Sequence, residues 1–265
     1  MRHELQGSYP MLRNRFVLVS GASRGIGRAI ALKCAHDGAI VGLLGRSVNR
    51  PVHKSLRGTL EETADAVNRV GGVPHIMPVN LLDTEQVVDA VEQVVQTFGG
   101  IDAVVNNASA IYPYKYPTMK QVDLMIDINV RGTMNMIAAC APSLKTSDVG
   151  HILSISPPLH TAHTKWLRPH PLYTMSKYAM TMMTLGYSDE FRANTIWPRK
   201  LIKTAATQMI ESQTGIPGYT QGLPPEYFAG AVHHMLCSEY TGQSILDEDL
   251  FAEPHVDGID DIFID

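Results

Sequence analysis

Cysteine is scarce in this chain of 265 residues: Cys34, Cys140 and Cys237 are the only three, with no Cys-x-x-Cys spacing. That excludes a disulfide scaffold and points to reduced core thiols in a reducing compartment. Charged residues make up 18% and the net charge is −4, so neither nucleic acid nor an anionic membrane surface is an expected partner. No apolar run is long enough to span a bilayer, and Met1–Asn14 lacks the apolar segment of a signal peptide. The final Ile262-Phe263-Ile264-Asp265 is not a Ser-Lys-Leu type address, which leaves the cytoplasm as the expected location. Eleven histidines include one adjacent pair, His233-His234, and no His-Glu-x-x-His, so no metal is expected. Repeats, low-complexity tracts and long linkers are missing too. A single domain over residues 1–265 is expected, with 1–13 as an N-terminal extension.

What the chain does have is alternation. Short apolar runs at 16–20, 40–44, 74–79, 101–106 and 151–156 are separated by helical stretches near 25–38, 59–71, 84–98, 118–145 and 172–192. Val87, Val88, Val91, Val94, Val95 and Phe98 form the stripe of a helix lying on a sheet. Continuous apolar strands alternating with helices predict an α/β fold whose parallel sheet is doubly wound and covered on both faces.

The first strand runs directly into Gly21-x-x-x-Gly25-x-Gly27, which opens the first helix. One glycine allows the tight turn, one lets backbone approach a pyrophosphate, and one permits close helix–strand packing. The helix N-terminus then offers free N–H groups to phosphate. Gly21, Ser23, Arg24, Gly25, Ile26 and Gly27 are therefore candidate nucleotide-binding residues. The second strand ends Leu43-Leu44-Gly45-Arg46, with arginine where an acid would hold the ribose hydroxyls of NAD. With Arg24 as a second cation for a 2′-phosphate, NADP(H) is favoured over NAD(H).

Tyr173 and Lys177 are four residues apart at the start of a helical stretch and share a face. An adjacent ammonium lowers a phenol's pKa, making Tyr173 a candidate acid/base. The same spacing recurs at Tyr116 and Lys120, but Pro113 and Pro117 place Tyr116 in a loop.

These elements resemble the short-chain dehydrogenase/reductase family over essentially the whole chain, implying a Rossmann-type doubly wound sheet. Asn106-Asn107-Ala108-Ser109 resembles the family's Asn-Asn-Ala-Gly segment, so Asn107, Ala108 and Ser109 are implied to flank the cofactor. The resemblance further implies that Asn129 holds a proton-relay water, that Tyr173 and Lys177 form the catalytic pair, and that Pro198 lies beside the nicotinamide. Asn80 and Leu81 occupy the segment where the adenine is recognised, with Asn80 replacing the usual aspartate. Asn107-Ala108-Ser109-Ala110-Ile111, Ile155-Ser156-Pro157-Pro158 and Trp197-Pro198-Arg199 are similar to the hydroxysteroid dehydrogenase-like subgroup. Some members of that subgroup carry a sterol-carrier domain, for which this chain is too short.

The implied activity is hydride transfer between a nicotinamide and a small hydrophobic alcohol, aldehyde or ketone. Leu159, Trp166, Leu167, Met209, Ile210, Ile216 and Tyr219 are candidate substrate contacts. The family's substrate-binding serine is displaced: thirteen residues before Tyr173 stands His160, and strand-end alignment gives Pro157. Ser156 is taken as the catalytic serine, with His160 as runner-up. Relatives have a longer segment around 191–197, so a stunted sixth strand is expected, and the helix before Tyr240 looks clipped. A nucleotide-binding protein without catalysis is the alternative, and a nucleotide-sugar epimerase ranks last. A homo-oligomer, dimer or tetramer, is implied through the helices near 118–145 and 172–192. Met125, Met134, Met136, Met182 and Met183 are expected in packing.

Overall fold

The computed structural model describes residues 12–52, 56–161, 168–215 and 217–250. Seven strands form one sheet: β1 (Phe16–Ser20), β2 (Ile40–Gly45), β3 (Val73–Pro78), β4 (Ala103–Asn106), β5 (His151–Ile155), β6 (Arg192–Trp197) and β7 (Ser244–Leu246). Their order is β3-β2-β1-β4-β5-β6-β7, and every pairing is parallel. The chain winds outward from β1 in one direction, returns, and winds the other way from β4. The β1/β4 junction is thus the topological switch point, where ligands bind in sheets of this kind.

Alternation along β1 fills both faces. Val17 and Val19 join a core with Ile30 of α1 (Gly25–His36), Val67 of α2 (Leu60–Arg69) and Phe228 of α8 (Pro225–Cys237). Phe16 and Leu18 face the other way, toward Val87 and Val91 of α3 (Thr84–Phe98) and Met136 and Cys140 of α5 (Gly132–Leu144). At β2, Gly42 leaves room for Leu18 and Phe16, since a Cβ there would lie 2.8 and 2.9 Å from their side chains.

Three expectations are corrected. The helical stretch near 118–145 is α4 (Met119–Met125), a π-helical turn (Ile126–Arg131) and α5, because buried Asn129 turns inward at that turn to bond a loop. The stretch near 172–192 is helical only as α6 (Pro171–Leu185), after which Gly186 begins a run of turns into β6. The sixth strand is not stunted: Arg192–Trp197 has six residues, five of them in register with β5. Met125 and Met136 are fully buried as expected, but Met134 and Met182 are 38% and 64% exposed on α5 and α6. No helix among the described residues is long and apolar enough to cross a membrane.

Candidate active site

A cleft of about 280 Å³ opens at the C-terminal ends of β1, β2 and β4. Its lining includes Gly21, Ser23, Arg24, Gly25, Ile26 and Gly27, then Arg46, Asn80 and Leu81, then Asn107, Ala108 and Ser109. The structure thus gathers every candidate of the glycine turn, the β2 end and the β4 end around one space. Pro198, Tyr173 and Lys177 are outside this lining.

The turn needs its glycines. Gly21 and Gly25 have φ of +70° and +52°. A Cβ on Gly27 would sit 2.4 Å from the Gly21 carbonyl oxygen and 2.5 Å from Asn107 Nδ2. Asn107 Nδ2 donates to the Ser20 carbonyl at 2.8 Å, stapling the β4 loop to the turn. Ser20 Oγ accepts from the N–H groups of Asn107 and Ala108 at 3.0 and 3.1 Å and donates to Val105 O. A hydrogen-bonded frame therefore holds the cleft floor.

Arg24 donates to the Leu56 carbonyl at 2.6 Å, and burial followed by the charge of Arg46 lowers its pKa. The two guanidiniums therefore concentrate positive charge at the β2 end. Asn80 Oδ1 accepts from Leu82 N at 3.3 Å in a local turn, leaving one lone pair for another donor. Sequence reasoning missed Thr204, which caps α7 (Ala205–Thr214) by accepting from Thr207 N at 3.1 Å. Thr204, Ala205 and Ala206 line the cleft, so a second helix N-terminus faces it. The signal was legible as Thr204-Ala205-Ala206-Thr207, a Thr-x-x-Thr that encloses an alanine pair.

Tyr173 and Lys177 lie on α6, one turn apart, as the spacing required. Their electrostatics correct the expectation. Burial pushes Tyr173 up to about 12, and the opposing pull comes from a side-chain hydrogen bond with Ser109. Lys177 is 2% exposed, with Nζ 3.2 Å from Met180 Sδ and 5.4 Å from the Trp197 ring centroid. Burial brings its pKa down to about 7. Each group is driven toward its neutral form by lost hydration.

This lysine is a stability cost. Its folded pKa lies below the unfolded value, so the penalty is complete below about pH 7 and fades as pH rises toward the ordinary lysine value of about 10.4. Lys177→Met should stabilise the nucleotide-free protein by about 1–3 kcal/mol at pH 6, shrinking toward zero near pH 10. Thermal melts of both proteins at the two pH values measure this. An equal gain at both would show that Lys177 is not the cause.

Asn129 is fully buried and its amide is saturated. Oδ1 accepts from Ala110 N at 2.8 Å and Ser109 Oγ at 3.1 Å, while Nδ2 donates to Ala110 O at 3.0 Å and Ser176 Oγ at 2.9 Å. Any link from Asn129 toward Lys177 must therefore use its backbone. Ser156 is also fully buried, and Thr181 Oγ1 lies 2.9 Å from its hydroxyl. His160 is exposed in the short turn Leu159–Thr161. Tyr116 is 84% exposed ahead of α4, which removes the competing Tyr–Lys spacing. Of the candidate substrate contacts, Trp166, Leu167 and Ile216 lie outside the described residues. Leu159 and Tyr219 are exposed, and Met209 and Ile210 are half-buried.

Away from the cleft, Asp37, His233 and Cys237 bring three potential ligand atoms within 4.8 Å. His233 Nε2 pairs with Asp37 Oδ2 at 3.1 Å. Cys237 Sγ lies 3.6 and 4.0 Å from the two ring nitrogens, which puts it over the ring rather than along a nitrogen lone pair. That is packing against an Asp–His pair, not ligand geometry.

Comparison with known proteins agrees with this architecture. The short chain dehydrogenase family model matches residues 15–213. Mouse hydroxysteroid dehydrogenase-like protein 2 is 40% identical over 253 residues, covering 92% of this chain and 50% of that protein. The chain thus spans about half the length of this relative. A short chain dehydrogenase from Mycobacterium thermoresistibile superposes with a TM-score of 0.82 at 38% identity, covering 92% of this chain and 89% of that one. With its parallel seven-stranded sheet and glycine-turn cleft, this chain belongs to the short-chain dehydrogenase/reductase family of oxidoreductases, in the neighbourhood of the hydroxysteroid dehydrogenase-like proteins.

Proposed function

We propose that this protein is an NADP(H)-dependent oxidoreductase acting on a lipophilic carbonyl/alcohol pair in the cytoplasm, with Tyr173 as acid/base and Lys177 beside it. The carrying observation is the cleft at the β1/β4 switch point, where a glycine turn without room for a Cβ meets two arginines at the β2 end. The residues fit a dinucleotide: two helix N-termini and the turn suit phosphates, and Arg24 and Arg46 suit a 2′-phosphate. When bound, the dinucleotide supplies or accepts the hydride.

The chain's own residues do the rest. Tyr173 keeps its proton to high pH, so at neutral pH it offers a neutral phenol to a carbonyl oxygen. In the reverse direction the phenolate form of the same oxygen takes the alcohol proton, regenerating the phenol. Lys177, titrating near neutrality, binds ribose hydroxyls as a donor in either charge state. Asn129 fixes the loop at the β4 end against the π-helical turn. Met134 and Met182, exposed on α5 and α6, support a homo-oligomer through these helices, a dimer or tetramer.

Arg46→Asp should weaken NADPH binding by about 10–100-fold, because a bidentate contact to phosphate becomes a repulsion, while NADH binding holds or improves. Fluorescence titration with both nucleotides checks this, and unchanged NADPH affinity would remove the arginine argument. The second reading, nucleotide binding without catalysis, is favoured by one observation: Ser156 turns to Thr181 and Pro157 has no hydroxyl. A scan of aldehydes, ketones and alcohols separates the two. Turnover supports the first reading, and tight NADPH binding without any turnover supports the second.

A further inference from the structure

Arg24 belongs to the glycine turn, yet its guanidinium is held from outside that turn. Its Nη1 donates to the Leu56 carbonyl at 2.6 Å, across 32 residues of chain. Leu56 also lines the cleft, so one residue both shapes the space near the β2 end and anchors a cation there. Two positions on, Gly58 has φ of +113°, a backbone angle that L side chains rarely adopt. Space excludes a side chain as well: a Cβ on Gly58 would lie 2.6 Å from the Ser23 carbonyl oxygen and 2.8 Å from Arg24 Cβ. The first of these atoms is backbone and the second is one bond from it, so neither can swing aside. The α2 side is fixed too. Thr59 Oγ1 caps α2 by accepting from Glu62 N at 3.1 Å, Leu60 N donates to Ser47 O at 2.7 Å, and Thr63 Oγ1 donates to Ala22 O at 3.0 Å.

These contacts lay residues 56–58 against the glycine turn from the α2 side. The Leu56 carbonyl thereby restrains a long side chain, which costs affinity when a ligand must immobilise it. One of five guanidinium N–H groups is used, which leaves others to take an anion bidentately. We propose that Gly58 is a specificity-determining positioning residue: only a glycine there lets the segment lie close enough for the Leu56 carbonyl to hold Arg24 ready for a 2′-phosphate. This rests on the NADP(H) reading of the cleft. Gly58 lies outside the cleft lining, so it acts through Arg24 and not by contact with the nucleotide. NADH, with a hydroxyl in place of that phosphate, is indifferent to where the guanidinium points.

The test is the ratio of NADPH to NADH affinity, from fluorescence titrations of wild type, Gly58→Ala, Arg24→Met and the double variant. Wild type should prefer NADPH. Gly58→Ala should lower the ratio about 3–10-fold, the cost of ordering one long side chain on binding, with NADH affinity within about twofold of wild type. In the Arg24→Met background the same substitution should leave the ratio within about twofold, because the side chain it positions is gone. Gly71→Ala is the control: Gly71 has φ of +79° and nothing within 4 Å of an added Cβ, so it brings backbone strain without the contact. It should leave the ratio unchanged. An unchanged ratio in Gly58→Ala overturns the proposal, and so does an equal fall in both backgrounds, which would place the effect in the turn itself. A wild type that binds both nucleotides equally instead removes the NADP(H) reading, and the proposal with it. Should Gly58→Ala not fold, Arg24→Lys judges the same point, since lysine keeps the charge but lacks the planar fork that a fixed carbonyl orients. A ratio lowered about tenfold there supports the proposal, and a wild-type ratio overturns it.

Discussion

Tyr173→Phe should lower turnover by about 10²–10⁴-fold, the range for losing a general acid or base, while NADPH affinity stays close to wild type. The substitution keeps the ring at the start of α6 and removes one oxygen, so packing is nearly unchanged. What it removes is the proton that burial holds on the phenol up to about pH 12. The internal comparison is Tyr178, on the same helix, whose hydroxyl lies 3.0 Å from Thr161 Oγ1 and so has a structural partner. Steady-state rates of Tyr173→Phe and Tyr178→Phe therefore separate chemistry from helix packing. Loss confined to Tyr173→Phe supports the assignment, and equal rates in wild type and Tyr173→Phe remove it.

Gly27→Ala should be the most damaging single methyl group in the cleft. The added carbon would meet the Gly21 carbonyl oxygen at 2.4 Å and Asn107 Nδ2 at 2.5 Å. Neither neighbour can yield cheaply. The Gly21 carbonyl is backbone in a turn with φ +70°, and Asn107 Nδ2 is bonded to the Ser20 carbonyl. Relief requires prising α1 off the β4 loop. We expect a stability loss of about 1–3 kcal/mol from overpacking, and a fall in nucleotide affinity of about 100-fold or more as the turn opens. Gly230 supplies the contrast, since it lies in α8 with ordinary backbone and nothing within 4 Å of an added Cβ. Gly230→Ala should gain up to about 1 kcal/mol from helix propensity alone. Calorimetric titration and thermal melts read both effects. A Gly27→Ala protein that binds NADPH normally would mean that the close approach is not needed.

The parallel sheet and its switch point were legible because strand apolarity and helix periodicity are local properties of the chain. The glycine turn was legible for the same reason: three glycines, a preceding strand and a following helix occur in one stretch. Tyr173 and Lys177 followed from helix spacing, and Arg46 from its position at a strand end. What could not be read from the sequence shares a cause. Ser156 sits at a strand end as expected, but its hydroxyl direction is decided by Thr181, 25 residues further on. For Asn129, saturation of the side-chain amide depends on Ala110 and Ser176, which approach only in the folded state. The pair's electrostatics were misjudged because i, i+4 spacing reports proximity and not hydration. Lys177 is enclosed by Met180 and Trp197, and burial outweighs any help it gives the phenol.

The most direct test of the central claim is a single turnover with NADPH deuterated at the nicotinamide C4 and a panel of lipophilic aldehydes and ketones. Hydride transfer predicts deuterium on the carbinol carbon of the product in the wild type, with the transfer slowed about 10²–10⁴-fold in Tyr173→Phe. Tight NADPH binding with the deuterium retained on the nicotinamide throughout the panel would contradict it.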